Sequence, residues 1–551
     1  MKGQGPSSKI RGHIALKTAA LRFSLKANLK HTPHDRATAD LSTPDGMTIL
    51  SGLSSIGAGW GGSARKSDLG EHMAKDLTRR ELMRRSIAAG GLFAAGSLAP
   101  ISALAGQVGG QASPTQTAGQ GEHETGSHTP ATIAGDKVVQ PRREVPVLHK
   151  TSVLVVGGGP AGTAAAFCAK RMGVDVTLVE RYGYLGGLAT GGLVLGIFPL
   201  YDRSNKQVIY GIGEEFMKKL DVMKYGIIDR WKAPTYPTID AEAFKFLLAD
   251  MVLDSGITAY LDCWGVDAIL DGKGAVRGAI FESKSGRQAI LADIVIDCSG
   301  DGDIYAAAGA SFEKVKTNIG LISRIGNIDE VDMAPGRGSE DPEHKAQIAK
   351  PSEGRPSKGR VNDFNGHAGN STPAPHVNWL NMRGPVGDAL DVADLTDLEL
   401  KHRRGTWSNV EKLREKQGNE QVYLTETAPQ LGVRLSRLLD GCKKLTNQEI
   451  RSGAKFKDVI GYSGAYANAP EFQIPYGSLV PAKVENVLAA GRCISAEFEV
   501  ADITRLIPVC WVTGQAAGLA AAMCIQNNCK PRNVNVAKLQ ELLHQQGAYL
   551  G

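Results

Sequence analysis

Three glycines, Gly157, Gly159 and Gly162, stand in the spacing G-x-G-x-x-G within VVGGGPAG, directly after the apolar run Val153–Val156. This spacing suits the holding of a dinucleotide pyrophosphate. Gly157 permits a tight turn, Gly159 lets the backbone approach the phosphates, and Gly162 lets a helix lie close to the strand. Pro160 and Ala161 stand at the start of that helix, whose unpaired N–H groups and partial positive charge would face the phosphate. Glu180 ends the next apolar run; it would accept hydrogen bonds from an adenosine ribose and repel a 2′-phosphate, which disfavours NADP. Groups for acid–base or anion chemistry are sparser. His376 beside Asn378 could act as base and donor, against the plainer reading of a satisfied loop histidine. Arg434 and Arg437, three apart, would share one face if helical and could clamp a carboxylate or phosphate; structural ion pairs are the alternative. Tyr476 and Arg505 are further candidates, and Glu497 and Glu499 follow the late glycine cluster, where solvated loop acids are the plainer reading.

The elements that must position these groups follow from pattern. Val153–Val156, glycines, the small-residue run Thr163–Arg171 and Val174–Glu180 predict strand, turn, helix, strand. Residues 240–254 predict an amphipathic helix with Thr238 as its cap. Strands are predicted over 257–262, 265–270, 275–281 and 289–296, with hairpin turns at Asp271-Gly-Lys-Gly and Ser283-Lys-Ser-Gly-Arg. Residues 334–374 predict a long loop, and helices resume over 395–417 and 445–452. There is no internal repeat and no second G-x-G-x-x-G in a strand–helix context, so a bound NAD(P) domain is not evident.

Further segments resemble the FAD-dependent oxidoreductases with a glutathione-reductase-like FAD fold. Arg181-Tyr-Gly-Tyr-Leu-Gly-Gly-Leu-Ala-Thr-Gly-Gly192 resembles the stretch that runs beside the pyrophosphate and flavin. Ile294–Asp303 resembles the family's strand ending in a glycine and aspartate turn, and Val484–Ser495 its late strand-and-glycine motif. Ala428–Arg437, Ile474–Pro481 and the small-residue helix from Thr513 add to the likeness, which extends from about Ser152 to Gly547. The resemblance implies FAD as cofactor, held by Gly157, Gly159, Pro160, Ala161, Gly162, Glu180, Arg181, Gly187, Ala189, Thr190, Gly300, Asp301, Gly491, Arg492, Thr513, Gly514 and Ala516. It implies an α/β fold: a Rossmann-like FAD-binding domain, discontinuous in sequence, with a parallel sheet plus β-meander and an inserted α+β substrate domain. The domains would be an extension over 1–77, a signal over 78–105, a linker over 106–149, FAD-binding parts over 150–315 and 466–551, and the substrate-side domain over 316–465. Many members carry Asp-x-His before the Ile-Pro-Tyr segment; Gly464–Phe472 has no histidine, so none is carried over there.

The N-terminal segment differs in kind. Thr78-Arg-Arg-Glu-Leu-Met precedes a Gly/Ala-rich apolar stretch and Ala103-Leu-Ala105, an order that resembles a twin-arginine export signal. Met73 would be a normal start for such a signal. Residues 1–105 hold 15 Lys/Arg and 7 Asp/Glu, a net +8 against +6 for the whole chain, so the remainder carries −2. A general nucleic-acid surface is therefore not expected. The eight cysteines show no metal or haem spacing, no metal is expected, and Cys168, Cys298, Cys510 and Cys524 read as small buried residues. The expected partners are a small-molecule substrate, an electron acceptor (oxygen, a quinone or a carrier protein), the twin-arginine export machinery and a second copy in a homodimer. The expected activity is an exported oxidoreductase transferring hydride at flavin. A redox-neutral isomerase or hydratase, and a non-catalytic electron carrier, are the alternatives.

Overall fold

The computed structural model describes residues 130–228, 236–328, 370–381 and 383–551. The extension over 1–77, the signal over 78–105, the linker as far as residue 129 and most of the loop over 334–374 lie outside the described residues. Strand β1, Val147–Val156, turns through Gly157–Gly159 into helix α1, Pro160–Arg171, and then β2, Val176–Val179. Next come α2, Ile212–Asp221, α3, Ala241–Ser255, and β3, Thr258–Tyr260. Strands β4, Trp264–Leu270, β5, Val276–Ser283, and β6, Gly286–Asp297, follow.

These strands form one sheet in the order β3-β2-β1-β6-β5-β4. The first four of that order run parallel, whereas β6, β5 and β4 form an antiparallel meander. Strand β6 serves both parts: Gly286–Leu291 pairs with β5, and Val295–Asp297 pairs in parallel with the late strand Val487–Ala489. β1 starts at Val147, inside the stretch read as linker, because β6 is long enough to pair with it there. Side chains alternate across β1. Val153 and Val155 enter the core shared with α1, while Leu154 and Val156 enter a second core against the meander. Burial on both faces is why this strand reads as a continuous apolar run.

Beyond β6 lie α4, Asp303–Ala307, and strands β7, Thr317–Gly320, β8, Ser323–Gly326, and β9, Val377–Leu380. Then come α5, Val392–Arg414, β10, Tyr423–Thr427, α6, Asn447–Ser452, and the hairpin β11, Val459–Ser463, with β12, Phe472–Pro475. β8 lies between β9 and β10 in an antiparallel sheet, over a small core that includes Ile325, Leu380 and Val410. This layer also shares the main core through Ile319, Trp379 and Leu398. The boundary placed at 465 runs through the β11–β12 hairpin, whose Ile460, Phe472 and Ile474 are also main-core residues. All described residues belong to one compact unit, Thr125–Gly551.

Two local expectations change. The cap of α3 is Asp240, whose carboxylate accepts from the N–H groups of Glu242 and Ala243 at 3.0 and 2.9 Å. Thr238 instead pairs with Ile228 in a short strand. Asp240 also ion-pairs at 2.9 Å with the buried Arg324 of β8, which is bound on its other side by Glu426. Arg434 and Arg437 do not share a helical face. Arg437 pairs with Lys314 in a strand, and Arg434 lies in the irregular chain just before it.

The chain closes with β13, Val487–Ala489, α7, Phe498–Thr504, α8, Ile507–Asn527, and α9, Val536–Gln545. Helix α8 has a mean hydropathy of 1.4 over its most apolar window, and that window is wholly buried. It lies directly on α1. A Cβ on Gly514 would stand 2.2 Å from the Ala161 carbonyl oxygen, and one on Gly518 would stand 2.3 Å from that of Ala165. Glycine is required at both points because backbone, not a movable side chain, occupies the space. Gly514→Val and Gly518→Val are each expected to cost about 2–3 kcal/mol through overpacking. Gly272→Ala, with no atom within 4 Å of the added methyl, should leave stability unchanged. Chemical denaturation midpoints of the three variants would check this.

Candidate active site

Parallel strands place their carboxyl ends together, and four loops meet at that edge. Val156 pairs with Val179 and with Asp297, and Asp297 pairs with Ala489. The residues that follow each strand end are therefore neighbours: Gly157, Glu180, Cys298–Gly300 and Ala490–Arg492. They line a cleft, together with Arg181 and Trp264 and, from the late segment, Arg505, Leu506, Ile507 and Cys510. A crevice at the carboxyl edge of a parallel sheet is the usual ligand site in such folds.

The glycine loop has the shape its spacing predicts. Gly157 has φ +104°, and a Cβ there would lie 2.3 Å from the Cys298 carbonyl oxygen. At Gly162 a Cβ would lie 1.7 Å from the Gly157 oxygen. Gly159, by contrast, has nothing nearer than 3.9 Å and opens on the cleft. Helix α1 begins there with no capping side chain and no acid in its first turn. Helix α8 begins at Leu506 in the same way. Two helices thus turn uncapped, partly positive ends toward one cleft. Glu180 is buried. Its carboxylate accepts from the Gly158 N–H at 2.6 Å and the Tyr182 N–H at 3.0 Å. Burial pushes its pKa up, opposed by those two donors.

A charge network closes the floor. The Arg492 guanidinium donates to Asp301 at 2.9 Å, and Ser436 donates to the same oxygen at 2.5 Å. Burial raises the Asp301 carboxyl, but Arg492 and the Ser436 hydroxyl together outweigh it and hold the group below the usual range. Arg437 reaches the Asp301 carbonyl at 2.8 Å and Asp303 at 2.9 Å. Asp303 is pushed up to about 6 by burial and by the charges of Asp301 and Asp297, against the pull of Arg437. Cys298 and Cys510 line the cleft, but burial raises both thiols, Cys510 to about 12, so neither is a ready nucleophile.

Of the residues singled out in the sequence, Gly157, Gly159, Pro160, Ala161, Glu180, Arg181, Gly187, Gly300, Gly491, Arg492 and Arg505 line the cleft. Asp301 lies just beneath it. Gly162 packs on the loop, and Ala189 and Thr190 are buried, Thr190 donating to Leu185 at 2.6 Å. Thr513, Gly514 and Ala516 are buried along α8 rather than at the cleft; Thr513 accepts from the Gly491 N–H at 3.0 Å. His376 sits at an exposed turn with φ +59°, and Asn378 is buried in β9; neither lines the cleft. Tyr476 is buried too, its hydroxyl donating to Pro531 at 2.8 Å. Arg434 follows the lining residue Val433 but is not itself in the lining, and donates to the carbonyls of Arg383 and Asn318 at 2.8 and 3.3 Å. Glu497 accepts from the Asn447 N–H at 2.7 Å, and Glu499 is exposed. The lining residues Phe198, Trp264, Gln430, Leu506 and Ile507 were not singled out. They sit in unrelated segments and share no local pattern, although Leu506 and Ile507 directly follow Arg505.

The residues present fit FAD: an open glycine at an uncapped helix, an acid after β2, and a second uncapped helix across the cleft. A family model described as FAD dependent oxidoreductase matches residues 152–543. Dihydrolipoyl dehydrogenase of Pseudomonas aeruginosa is 30% identical over 162 residues, 28% of this chain and 32% of that one. Digeranylgeranylglycerophospholipid reductase 2 of Methanopyrus kandleri is 29% identical over 163 residues, 27% of this chain and 37% of that one. The chain spans about a third of the length of these relatives. Among solved structures, p-nitrophenol 4-monooxygenase from Pseudomonas putida aligns with TM-score 0.40 and 11% identity over 72% of this chain and 85% of that one. A geranylgeranyl bacteriochlorophyll reductase-like protein from Thermoplasma acidophilum aligns with TM-score 0.35 and 14% identity over 73% and 84%.

Asp303 yields a pH test. An unfolded Asp titrates near ~3.9, below the folded value of about 6, so folding takes up a proton between these pH values. The group's favourable contribution is full below the unfolded value and is lost as pH rises through the folded one. In urea midpoints taken at a series of pH values, Asp303→Asn should flatten the fall in stability across that window. An unchanged slope would show that Asp303 is not its source.

Proposed function

The chain belongs to the FAD-dependent oxidoreductases, and from that premise we propose that it is an exported enzyme that oxidises or reduces a small organic molecule. Electrons pass between that molecule and oxygen, a quinone or a carrier protein. The observation that carries this reading is the convergence of two uncapped helix starts, those of α1 and α8, on one cleft. Bound FAD supplies hydride transfer; this chain binds and orients. Gly159 and the free N–H groups of α1 would hold the diphosphate, and Glu180 the ribose hydroxyls. The start of α8 offers positive potential to negative charge in the cleft. Leu188, Val194, Phe198, Leu431 and Val433 give the cleft an apolar wall that keeps out water, and Arg505 and Gln430 are polar groups available to orient a substrate. Export is supported by the twin-arginine-like order of Thr78–Ala105, a route that moves proteins already folded around their cofactors.

The test is an anaerobic screen of purified holoenzyme against alcohols, acids and sugars, watching the flavin band near ~450 nm. Bleaching by one compound class is the expected outcome. Turnover without bleaching would instead mark a redox-neutral enzyme, and neither would mark an electron carrier. Glu180→Gln should raise the FAD dissociation constant about 10-fold, the equivalent of ~1.4 kcal/mol, in ultrafiltration assays. Replacing Arg79 and Arg80 together by Lys should keep the protein in the cytoplasm on cell fractionation; unaltered export would sink that part.

A further inference from the structure

Much of the cleft lining is apolar: Leu188, Val194, Phe198, Leu431, Val433 and, at the start of α8, Ile507. Two polar side chains interrupt it. Gln430 is only 5% exposed, and its Nε2 donor has no hydrogen-bond partner. A buried amide donor without an acceptor is costly, and a ligand that accepts from it removes that cost. Arg505, which caps the C-terminal end of α7, is the other. Its Nε and one terminal nitrogen both reach the same Asp502 oxygen, at 2.8 and 2.6 Å. Asp502 is 45% exposed on its side chain and Arg505 17%, so water screens the acid more than the base.

A second positive charge acts on Arg505. Arg434 has no carboxylate partner among the described residues and donates only to two backbone carbonyls. Burial, and then the charge of Arg505, push its pKa down to about 10. Two guanidiniums that repel each other, with one partly solvated acid between them, leave this corner short of negative charge. A planar carboxylate would answer the cationic corner, and Gln430 adds an unused amide donor to the lining of the same cleft. The adjoining wall is aromatic: Phe198 stacks on Tyr466 at 5.5 Å and 12°, and meets Tyr236 at 4.7 Å.

We propose that this corner is a carboxylate subsite, in which Arg505 and Gln430 hold the acid group of a small organic acid while Phe198, Leu431 and Val433 take up its apolar body. Calling the acid the substrate rests on the hydride-transfer reading above; the binding itself does not.

The experiment titrates holoenzyme with benzoate, hexanoate, benzamide and hexanamide, following changes in the flavin spectrum. At least one carboxylate should bind about 100-fold or more tightly than its own amide. Arg505→Gln should weaken that carboxylate about 30-fold with little effect on the amide, and Arg505→Lys should recover part of the loss, whereas Gln430→Leu should weaken the carboxylate about 10-fold and also the amide, whose carbonyl accepts from the same donor. FAD content should stay unchanged in all three variants. Equal binding of acid and amide, or no response to either carboxylate, overturns the proposal. So does loss of FAD from Arg505→Gln or Gln430→Leu, which would assign those groups to the cofactor. A carboxylate that binds as described, in an enzyme no compound bleaches, would leave the subsite standing and remove the hydride-transfer reading.

Discussion

Everything at the cleft depends on how closely α1 and α8 approach. Backbone meets backbone where Gly514 faces the Ala161 carbonyl and Gly518 that of Ala165. Ordinary helix pairs stand apart by the thickness of their side chains; here that thickness is absent. The contact fixes the two helices in register, and both helix starts then open on the same edge of the sheet. Thr513 strengthens the arrangement from inside by accepting from Gly491, whose φ of +88° turns the late loop toward the cleft. Thr513, Gly514 and Ala516 influence the site by where they put α8, not by touching what the cleft holds.

A second constraint ties the sheet to the substrate-side layer. Asp301 and Asp303 follow β6, whereas Ser436 and Arg437 come from far along the chain, and all four meet with Arg492 in one network. Such buried charges are costly to strand singly. The network therefore resists small shifts of the layer that carries Gln430 and Val433, and so keeps the width of the cleft fixed.

The sheet was legible because its signals are local. A continuous apolar run into glycines, and alternating strands split by Gly-rich turns, reflect burial within short stretches. The same holds for Glu180, whose place is set by the end of β2. Thr238 and Asp240 are both good caps for α3, and only the pairing of Thr238 in a strand decides between them. Arg434 and Arg437 share a spacing compatible with a helix, but the partner of Arg437 is Lys314, a relation invisible in any window. His376 and Tyr476 stood out by residue type alone. Type says nothing of distance from a cleft, and long-range packing put both elsewhere. Gln430 and Phe198 illustrate the reverse: ordinary residues made notable by what surrounds them.

The parallel sheet is assembled from both ends of the folded region: β1 early, β13 and α8 late. A nascent chain still missing its last stretch has the glycine turn and the apolar wall, but neither the Ala490–Arg492 loop nor the second helix start that completes the cleft. Capture of the nucleotide must then wait until α8 has been made, and a chain cut short before Val487 would leave the Val295–Asp297 edge of β6 without its parallel partner.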